Sequence, residues 1–322
     1  MSDGDTLRIT EAGTYVLSGS ASGATVTVDA PDDAKVQLVL DGVQIANSGF
    51  PCIYVKNADK VFLTVAADSS LSVSGSFLQD GSTNTDGVIF SLCDLTLNGT
   101  ASLTIRSSEN GIVGKDDLKL TGGSYDISAA SRCIEANDSI RISGGTFTLE
   151  AGTDGLHAEH DSDGTLGYIY IGGGSFSVTA GDDGIHGTSV VQIDGGSLNI
   201  SAGEGIEATC VQINGGTISI GARDDGINAT QKSAAYAVMV EINGGEIQIS
   251  MAQGDTDGVD ANGDIVINGG WISISGTSTF DYDGSGVING GTVICNGQQV
   301  SVLPNQMMGG GRGGWSGGGR RR

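Results

Sequence analysis

One repeating unit, clearest between residues 182 and 229, restricts the possible folds more than any other feature of the sequence. Two motifs alternate in it: an acidic residue followed by Gly-Ile, as in Asp183-Gly184-Ile185, and a double glycine after Asp or Asn, as in Asn214-Gly215-Gly216. The motif glycines at 184, 195, 205, 215 and 226 are 10 or 11 residues apart, so one repeat has about 20–22 residues. A repeat this short cannot bury an apolar face alone and must stack on its neighbours, as the coils of a solenoid do.

The segments between the glycines have the pattern of half-buried strands. VQIDGGSLNIS (191–201) and VQINGGTISIG (211–221) alternate apolar and polar residues with a period of two, and no helical stripe continues for ten residues. The sequence therefore predicts an all-β protein, a single parallel β-helix over residues 1–303. A strict six-residue pattern, typical of left-handed β-helices, is missing, which favours the right-handed form. Residues 304–322 are rich in Gly and Arg, and we expect them to be a disordered tail.

Composition excludes several classes of function. The net charge is −23, and four of the 15 basic residues lie in the tail, so the body is acidic enough to repel nucleic acid and anionic membranes and to attract divalent cations. Five scattered cysteines without a CxxC motif predict neither a disulfide framework nor structural zinc. No apolar run approaches 18 residues, so membrane insertion is not expected.

Stacking of the repeats predicts a column of acidic residues along one corner. Equivalent residues of neighbouring coils lie about 4.8 Å apart, where like charges repel unless they stay hydrated or share a cation. Ca²⁺ takes 6 to 8 oxygen ligands in a flexible shell, which such a column can supply. The column consists of Asp154, Asp183, Glu204, Asp225 and Asp257, with Asp182, Asp224 and Asp255 beside it. A second column three positions later consists of His157, His186, Glu207, Asn228 and Asp260. A merely solvated acidic edge is the alternative.

Two further patterns concern the corners. An Asn or Asp before the glycine of several corners predicts a column whose amides bond to the next coil. Its members are Asn98, Asp194, Asn214, Asn243, Asn268 and Asn289. Two repeats of 29 residues carry extra residues after the acidic motif, near 157–172 and 228–243, so two loops should project from one side of the solenoid.

Several segments together resemble a known family. ITEAGTYVLSGS (9–20), LVLDGVQI (38–45) and NGIVGKDDLKLTGGSYDISA (110–129), with the alternating glycine motifs, resemble bacterial right-handed β-helix carbohydrate-binding domain-containing proteins, whose fold is similar to that of pectate lyases. The resemblance covers residues 5–303. It implies a secreted or cell-surface protein that binds Ca²⁺ and acidic or cellulose-like polysaccharide, pectic polygalacturonate above all. It also implies Asp116 and Asp117, in the KDD segment, as residues near metal. The start at Met1-Ser2-Asp3 has no signal peptide and looks engineered or trimmed.

These observations lead to one expected function and two alternatives. We expect a monomeric, non-catalytic binder in which Ca²⁺ lets an acidic protein hold an acidic polymer, with Arg223, Lys232, Tyr236 and Tyr168 touching the sugar. A calcium-dependent lyase with Arg223 or Lys232 as base is one alternative, and an adhesin or scaffold that Ca²⁺ only rigidifies is the other. The motifs at Asn110 and Arg132 lack the acid, so we expect no cation there.

Overall fold

The computed structural model of the protein describes residues 6–254 and 256–305, and these residues form 33 β-strands and no helix. The first strands are β1 (Thr6–Ile9), β2 (Gly13–Ser22), β3 (Thr25–Asp29), β4 (Lys35–Asn47), β5 (Ile53–Asn57), β6 (Lys60–Ala67), β7 (Ser69–Val73), β8 (Gly87–Ser91), β9 (Leu95–Gly99), β10 (Ser102–Ser107) and β11 (Asn110–Gly114). The central strands are β12 (Asp117–Leu120), β13 (Ser124–Ala129), β14 (Ile134–Ala136), β15 (Ser139–Ile142), β16 (Thr146–Ala151), β17 (Leu156–Ala158), β18 (Tyr168–Ile171), β19 (Ser175–Ala180), β20 (Asp183–Ile193), β21 (Ser197–Ala202) and β22 (Glu204–Ile213). The last strands are β23 (Thr217–Ala222), β24 (Asp225–Ala229), β25 (Met239–Ile242), β26 (Glu246–Met251), β27 (Asp257–Ala261), β28 (Asp264–Ile267), β29 (Trp271–Ser275), β30 (Ser278–Tyr282), β31 (Gly286–Ile288), β32 (Thr292–Cys295) and β33 (Gln298–Val300).

The strands stack in parallel on three faces of a solenoid, except that the last strand, β33, pairs antiparallel with β32. Face A contains β11, β14, β17, the start of β20 and β22, β24, β27 and β30. Face B contains β12, β15, β18, the ends of β20 and β22, β25 and β28. Face C contains β13, β16, β19, β21, β23, β26 and β29. The parallel β-helix predicted from the repeat is confirmed.

The interior is filled by ladders of like residues, because equal repeats place the same side chain at each level. On face B, Ile171, Ile193, Ile213, Ile242 and Ile267 pair in register and are fully buried. Burial of such side chains contributes about 1.5–3 kcal/mol each relative to exposure. A short aromatic ladder lies on face C.

The two kinds of motif glycine are required for different physical reasons. The second glycine of each double glycine adopts a positive φ, as at Gly216 (95°), where a side chain would be strained. Asp-Gly pairs commonly form tight turns, but Gly205 and Gly226 are not in a positive-φ conformation. A Cβ on Gly205 would instead collide with the carbonyl oxygen of Gly226 and the side chain of Ile220. This glycine lets neighbouring coils stack closely.

The predicted corner column is present as a ladder of amides. Asn214 donates to Asp194, Asn243 to Asn214, Asn268 to Asn243 and Asn289 to Asn268, at donor–acceptor distances of 2.7, 2.8, 2.7 and 2.8 Å. Asn98 lies outside this ladder, in β9, where it pairs in register with Thr64. The amides hold the corner as expected.

Substitution of Asn243 by alanine removes two of these hydrogen bonds and should lower the free energy of unfolding by about 1–2 kcal/mol. Chemical denaturation of the purified variant measures this. Gln248→Ala is the control, because that exposed amide makes only a 3.4 Å contact within its own strand. Equal losses in both variants would contradict the ladder's contribution.

The remaining expectations on organisation have mixed outcomes. Both insertions lie between face A and face B, on the same side of the solenoid, as predicted. The expected tail lies almost wholly outside the described residues, as does Asp255, so neither prediction is tested. In the part of the chain described, no helix is long and apolar enough to cross a membrane.

Candidate functional site

The two predicted columns are real and lie side by side on face A. Asp183 pairs in register with Glu204, and Asp225 with Asp257, at the start of the strands. The second column follows three residues later in strict register and contains His157, His186, Glu207, Asn228 and Asp260. The upstream part of both columns opens into a groove of about 480 Å³. The columns differ along their length in how their charge is balanced.

The upstream end of the groove is neutralised by basic side chains. Arg132 occupies the position where the acid is missing, and its guanidinium lies 3.2 Å from Asp154 and 3.2 Å from Glu135. Lys115 lies 2.8 Å from the same glutamate. Burial alone would raise the pKa of Glu135, but the two cations outweigh it and lower that pKa. This end of the groove has positive charge of its own, and the expected lack of a bound cation there stays a prediction.

Two stacked histidines follow downstream. The rings of His157 and His186 lie 4.5 Å apart and nearly parallel. His157 Nδ1 is 2.8 Å from Asp154, and its Nε2 is 3.1 Å from Glu159. Burial raises the pKa of Asp154, whereas contact with His157 lowers it. The net result is a lowered pKa. The buried acid is therefore kept ionised by a neighbouring imidazole.

His186 is held between two carboxylates in the middle of the columns. Its Nδ1 is 2.6 Å from Asp183 and 2.9 Å from Glu207. Burial would lower the pKa of His186, but the two acids raise it to about 9, so the ring is a cation at neutral pH. Lys232 adds a second positive charge 3.0 Å from Glu207. Asp183, His186 and Glu207 are close enough to hold a metal ion. However, the positive charges of His186 and Lys232 already offset the negative charges of the two carboxylates.

The downstream part of the columns has no such balance. Burial is the largest cause that raises the pKa of Glu204, Asp225 and Asp260, to about 8, 7 and 6. Neighbouring carboxylates raise all three further, including Asp257 next to Asp225 and Asp281 next to Asp260. Among the described residues, no lysine or arginine forms an ion pair with Glu204, Asp225 or Asp260. Within the described chain, Glu204, Asp225 and Asp260 thus lie among other carboxylates and have no basic ion-pair partner.

An amide oxygen faces the same place. Asn228 donates its Nδ2 to Glu204 at 3.0 Å, while its buried Oδ1 has no hydrogen-bond partner in the described part of the chain. A buried acceptor without a partner is costly, by about 1–3 kcal/mol. Glu204, Asp225, Asn228, Asp257 and Asp260 lie on three successive coils and carry the type of oxygen that hard cations prefer, and we call these five residues the acidic site. Among the described residues, only Asp183, His186 and Glu207 bring three ligand atoms within 4.8 Å of one another, so a cation at the acidic site would draw its ligands from neighbouring coils and from solvent.

The other predicted metal ligands are placed differently. Asp182 and Asp224 flank the column and are exposed, and Asp182 lines the groove. Asp116 and Asp117 lie past the opposite end of a face A strand, outside both columns. Asp117 accepts a hydrogen bond from Ser139 and lies 3.3 Å from Lys119. The structure does not bring this pair together with the acidic site.

The four predicted sugar-contacting residues are divided between two surfaces. Lys232 lies in the groove, bound to Glu207, and Arg223 donates to the carbonyl oxygen of Gly181 at 2.8 Å. Tyr168 and Tyr236 line a separate cleft of about 690 Å³ on face B. The sequence interpretation omitted Arg132 as a counter-ion, although a basic residue at an acidic position of the repeat was a readable signal.

Comparison with known proteins agrees with this architecture. The model of a family described as carbohydrate-binding domain-containing protein matches residues 3–255 and 204–305. A carbohydrate-binding domain-containing protein of Acetivibrio thermocellus is 34% identical over 130 residues, an alignment that covers 38% of this chain and 45% of that relative. The polysaccharide lyase-like protein from C. thermocellum, solved as a gadolinium derivative, has the same fold, with a TM-score of 0.52 and 24% identity over 87% of this chain and 89% of that one. Since the family model spans nearly the whole solenoid, the chain belongs to the family of carbohydrate-binding domain-containing proteins.

Proposed function

We propose that this protein binds acidic polysaccharide, pectic polygalacturonate in particular, through Ca²⁺ held at the acidic site. The observation that carries the proposal is the group of part-buried carboxylates Glu204, Asp225 and Asp260, whose pKa values are raised to about 8, 7 and 6 and with which no basic side chain of the described residues pairs. Membership of a carbohydrate-binding family supports the polymer as ligand. Binding is proposed to take place outside the cell, by a single chain.

The donor set of the acidic site suits Ca²⁺ better than a softer metal. It contains carboxylates and one amide oxygen, whereas zinc prefers nitrogen and sulfur. The only histidines near the columns, His157 and His186, are bound to carboxylates farther upstream. In addition, burial and neighbouring carboxylates raise the pKa of Glu204 and Asp225, so keeping these acids ionised requires positive charge nearby, which a divalent ion would supply.

The residues of the acidic site would have different roles in recognition. Asp225 and Asp257, which pair in register, would hold a cation between their two coils, with Glu204 and Asp260 as neighbouring carboxylates and Asn228 as a source of neutral oxygen. When bound, Ca²⁺ reverses the local charge and accepts a uronate carboxylate as a further ligand. Farther upstream, Arg132 and Lys232 offset the acids there, so an acidic polymer passing along face A would meet less repulsion.

The contacts of the two basic residues that a lyase would use favour a binding role over catalysis. A base for proton abstraction must be neutral and within reach of the substrate. Lys232 forms an ion pair with Glu207 at 3.0 Å, and Arg223 donates to the carbonyl oxygen of Gly181. Both basic side chains are therefore occupied by contacts within the protein.

Retention on immobilised polygalacturonate should be strong in millimolar Ca²⁺ and should disappear in excess EDTA. Retention should also fall on highly methyl-esterified pectin, because esterification removes the carboxylate that would reach the ion. Asp225→Asn should weaken retention by about tenfold or more, since it removes one ligand charge. Affinity electrophoresis with and without chelator measures each effect.

Asp41→Asn is the matched control, because it removes the same charge from an exposed position in β4. Retention that survives EDTA, or that is equal on free and esterified polymer, would refute the calcium bridge. Absorbance near 232 nm that grows as polymer is consumed would instead identify a lyase. Calcium-dependent stability without retention would identify a scaffold.

A further inference from the structure

The two insertions contact each other on the outside of the solenoid. The regular stacking of the coils does not by itself require this contact. The insertions occupy residues 159–167 and 230–238 and belong to turns separated by two short turns, those of β20 and β22. Ser233 donates its hydroxyl to the carbonyl oxygen of Gly164 at 2.6 Å, and Tyr236 donates to that of Thr165 at 3.4 Å. The loops therefore form a clasp over the two short turns.

Beneath this clasp lies a cleft with the composition of a sugar site. Its floor is face B of the short turns, where Gln192 pairs in register with Gln212, and Val190 and Cys210 provide apolar surface. Tyr168 and Tyr170 form one wall, and Tyr236, which is 37% exposed, forms the other. Tyrosine rings offer a flat apolar surface together with a polar atom, and glutamine amides can donate and accept at once. The cleft's volume of about 690 Å³ lies within the range of small-ligand sites.

The charges around the cleft disfavour an acidic ligand. The one cationic side chain that lines it, within the described residues, is Arg141, whose guanidinium lies over the ring of Tyr168 at 5.0 Å and 4.0 Å from Asp117. Asp194 accepts hydrogen bonds from Tyr170 and Gln192, both at 2.9 Å. At the other end, Gln212 donates to Glu241 at 2.6 Å. These acids orient the amides and tyrosine and would repel a uronate carboxylate.

We propose that this cleft is a second carbohydrate-binding subsite, independent of metal, that takes uncharged pyranose rings. Tyr236 covers one face of the sugar, and the amides of Gln192 and Gln212 bond to its hydroxyl groups. The rings come either from a neutral glucan or from a uronan whose carboxyl groups are esterified, since both lack the charge that Asp194 and Glu241 repel. Uncharged stretches of a polymer then bind at face B while acidic stretches bind at face A.

Titration calorimetry in excess EDTA tests the subsite without the acidic site. The probes are cellohexaose, as the neutral chain, and fully methyl-esterified hexagalacturonate, as the esterified one. At least one of them should bind. Tyr236→Ala should weaken that binding about tenfold, because the variant lacks the aromatic ring that covers one face of the sugar. Trp271→Ala, which removes an aromatic residue 36% exposed on face C, should change nothing. Asp41→Asn, at an exposed position, should also change nothing, and the excess EDTA separates this result from the calcium-dependent function.

Cysteine protection provides a second measurement that needs no variant in the loop. Cys210 lines the cleft and is partly exposed, so a bound sugar should slow its modification by a methanethiosulfonate reagent, followed by peptide mass spectrometry. Cys295, also partly exposed but on face C, is the internal control. Absence of binding by both probes, or full binding by a folded Tyr236→Ala protein with Cys210 unprotected, would overturn the proposal.

Discussion

Addition of Ca²⁺ should raise the unfolding temperature of this protein, and the increase should be larger at pH 8 than at pH 5. At a free concentration 100 times the dissociation constant, one site bound only in the folded state adds about 2.7 kcal/mol, or roughly 4 °C for a chain of this size. Thermal melts in excess EDTA and in millimolar Ca²⁺, at both pH values, measure the effect.

The sign of the pH dependence follows from the direction of the pKa shifts. The folded state raises the pKa of Glu204, Asp225 and Asp260 to about 8, 7 and 6, from ordinary values near 4. Between about pH 4 and pH 8 the folded protein thus holds more protons at these groups than the unfolded chain. Their contribution to the stability of the metal-free protein falls as pH rises through this window. Ca²⁺ competes with those protons, so it stabilises most where they are lost.

Asp225→Asn should reduce the calcium-dependent increase and should also make the metal-free protein less sensitive to pH. Asp41→Asn, at an exposed position, should leave both unchanged. If the melts with EDTA and with Ca²⁺ coincide at both pH values, the acidic site is a solvated edge of the solenoid and the calcium proposal fails.

The second large effect is expected for Gly226→Ala, which should destabilise the protein by about 3 kcal/mol. A Cβ at this position would collide with the carbonyl oxygen of Gly258 and lie 2.5 Å from the side chain of Ile249. Neither can move without opening the contact between stacked turns, because the interior is closely packed. Chemical denaturation monitored by circular dichroism measures the loss.

Gly221→Ala is the matched control, five residues away in β23. A Cβ there would find its nearest neighbour, the carbonyl oxygen of Ile200, at 3.9 Å, which is an ordinary contact. Since alanine also restricts the unfolded chain, this variant should be neutral or slightly stabilising. Equal stability of the two variants would show that the acidic motif keeps its glycine for a reason other than stacking.

The sequence alone determined the repeating architecture and the composition of the two columns. Both follow from local periodicity: a period of two defines strands, and a period near 21 residues places equivalent side chains one above another. For this reason the register of His186 with Glu207 and of Asn228 with Asp260 agrees with the spacing of the motifs. The amide ladder was predictable on the same basis.

Only the tertiary structure decided which acids have a positively charged side chain beside them and which do not. Asp183 and Asp225 occupy equivalent positions in the repeat, yet a histidine compensates the first and other carboxylates surround the second. Lys232 reaches Glu207 from an insertion whose path no repeat dictates. The clasp between Ser233 and Gly164 joins residues 69 positions apart. Such contacts depend on loop paths and side-chain directions, which periodicity leaves undetermined, so the acidic site and the aromatic cleft became distinct only when the chain was folded.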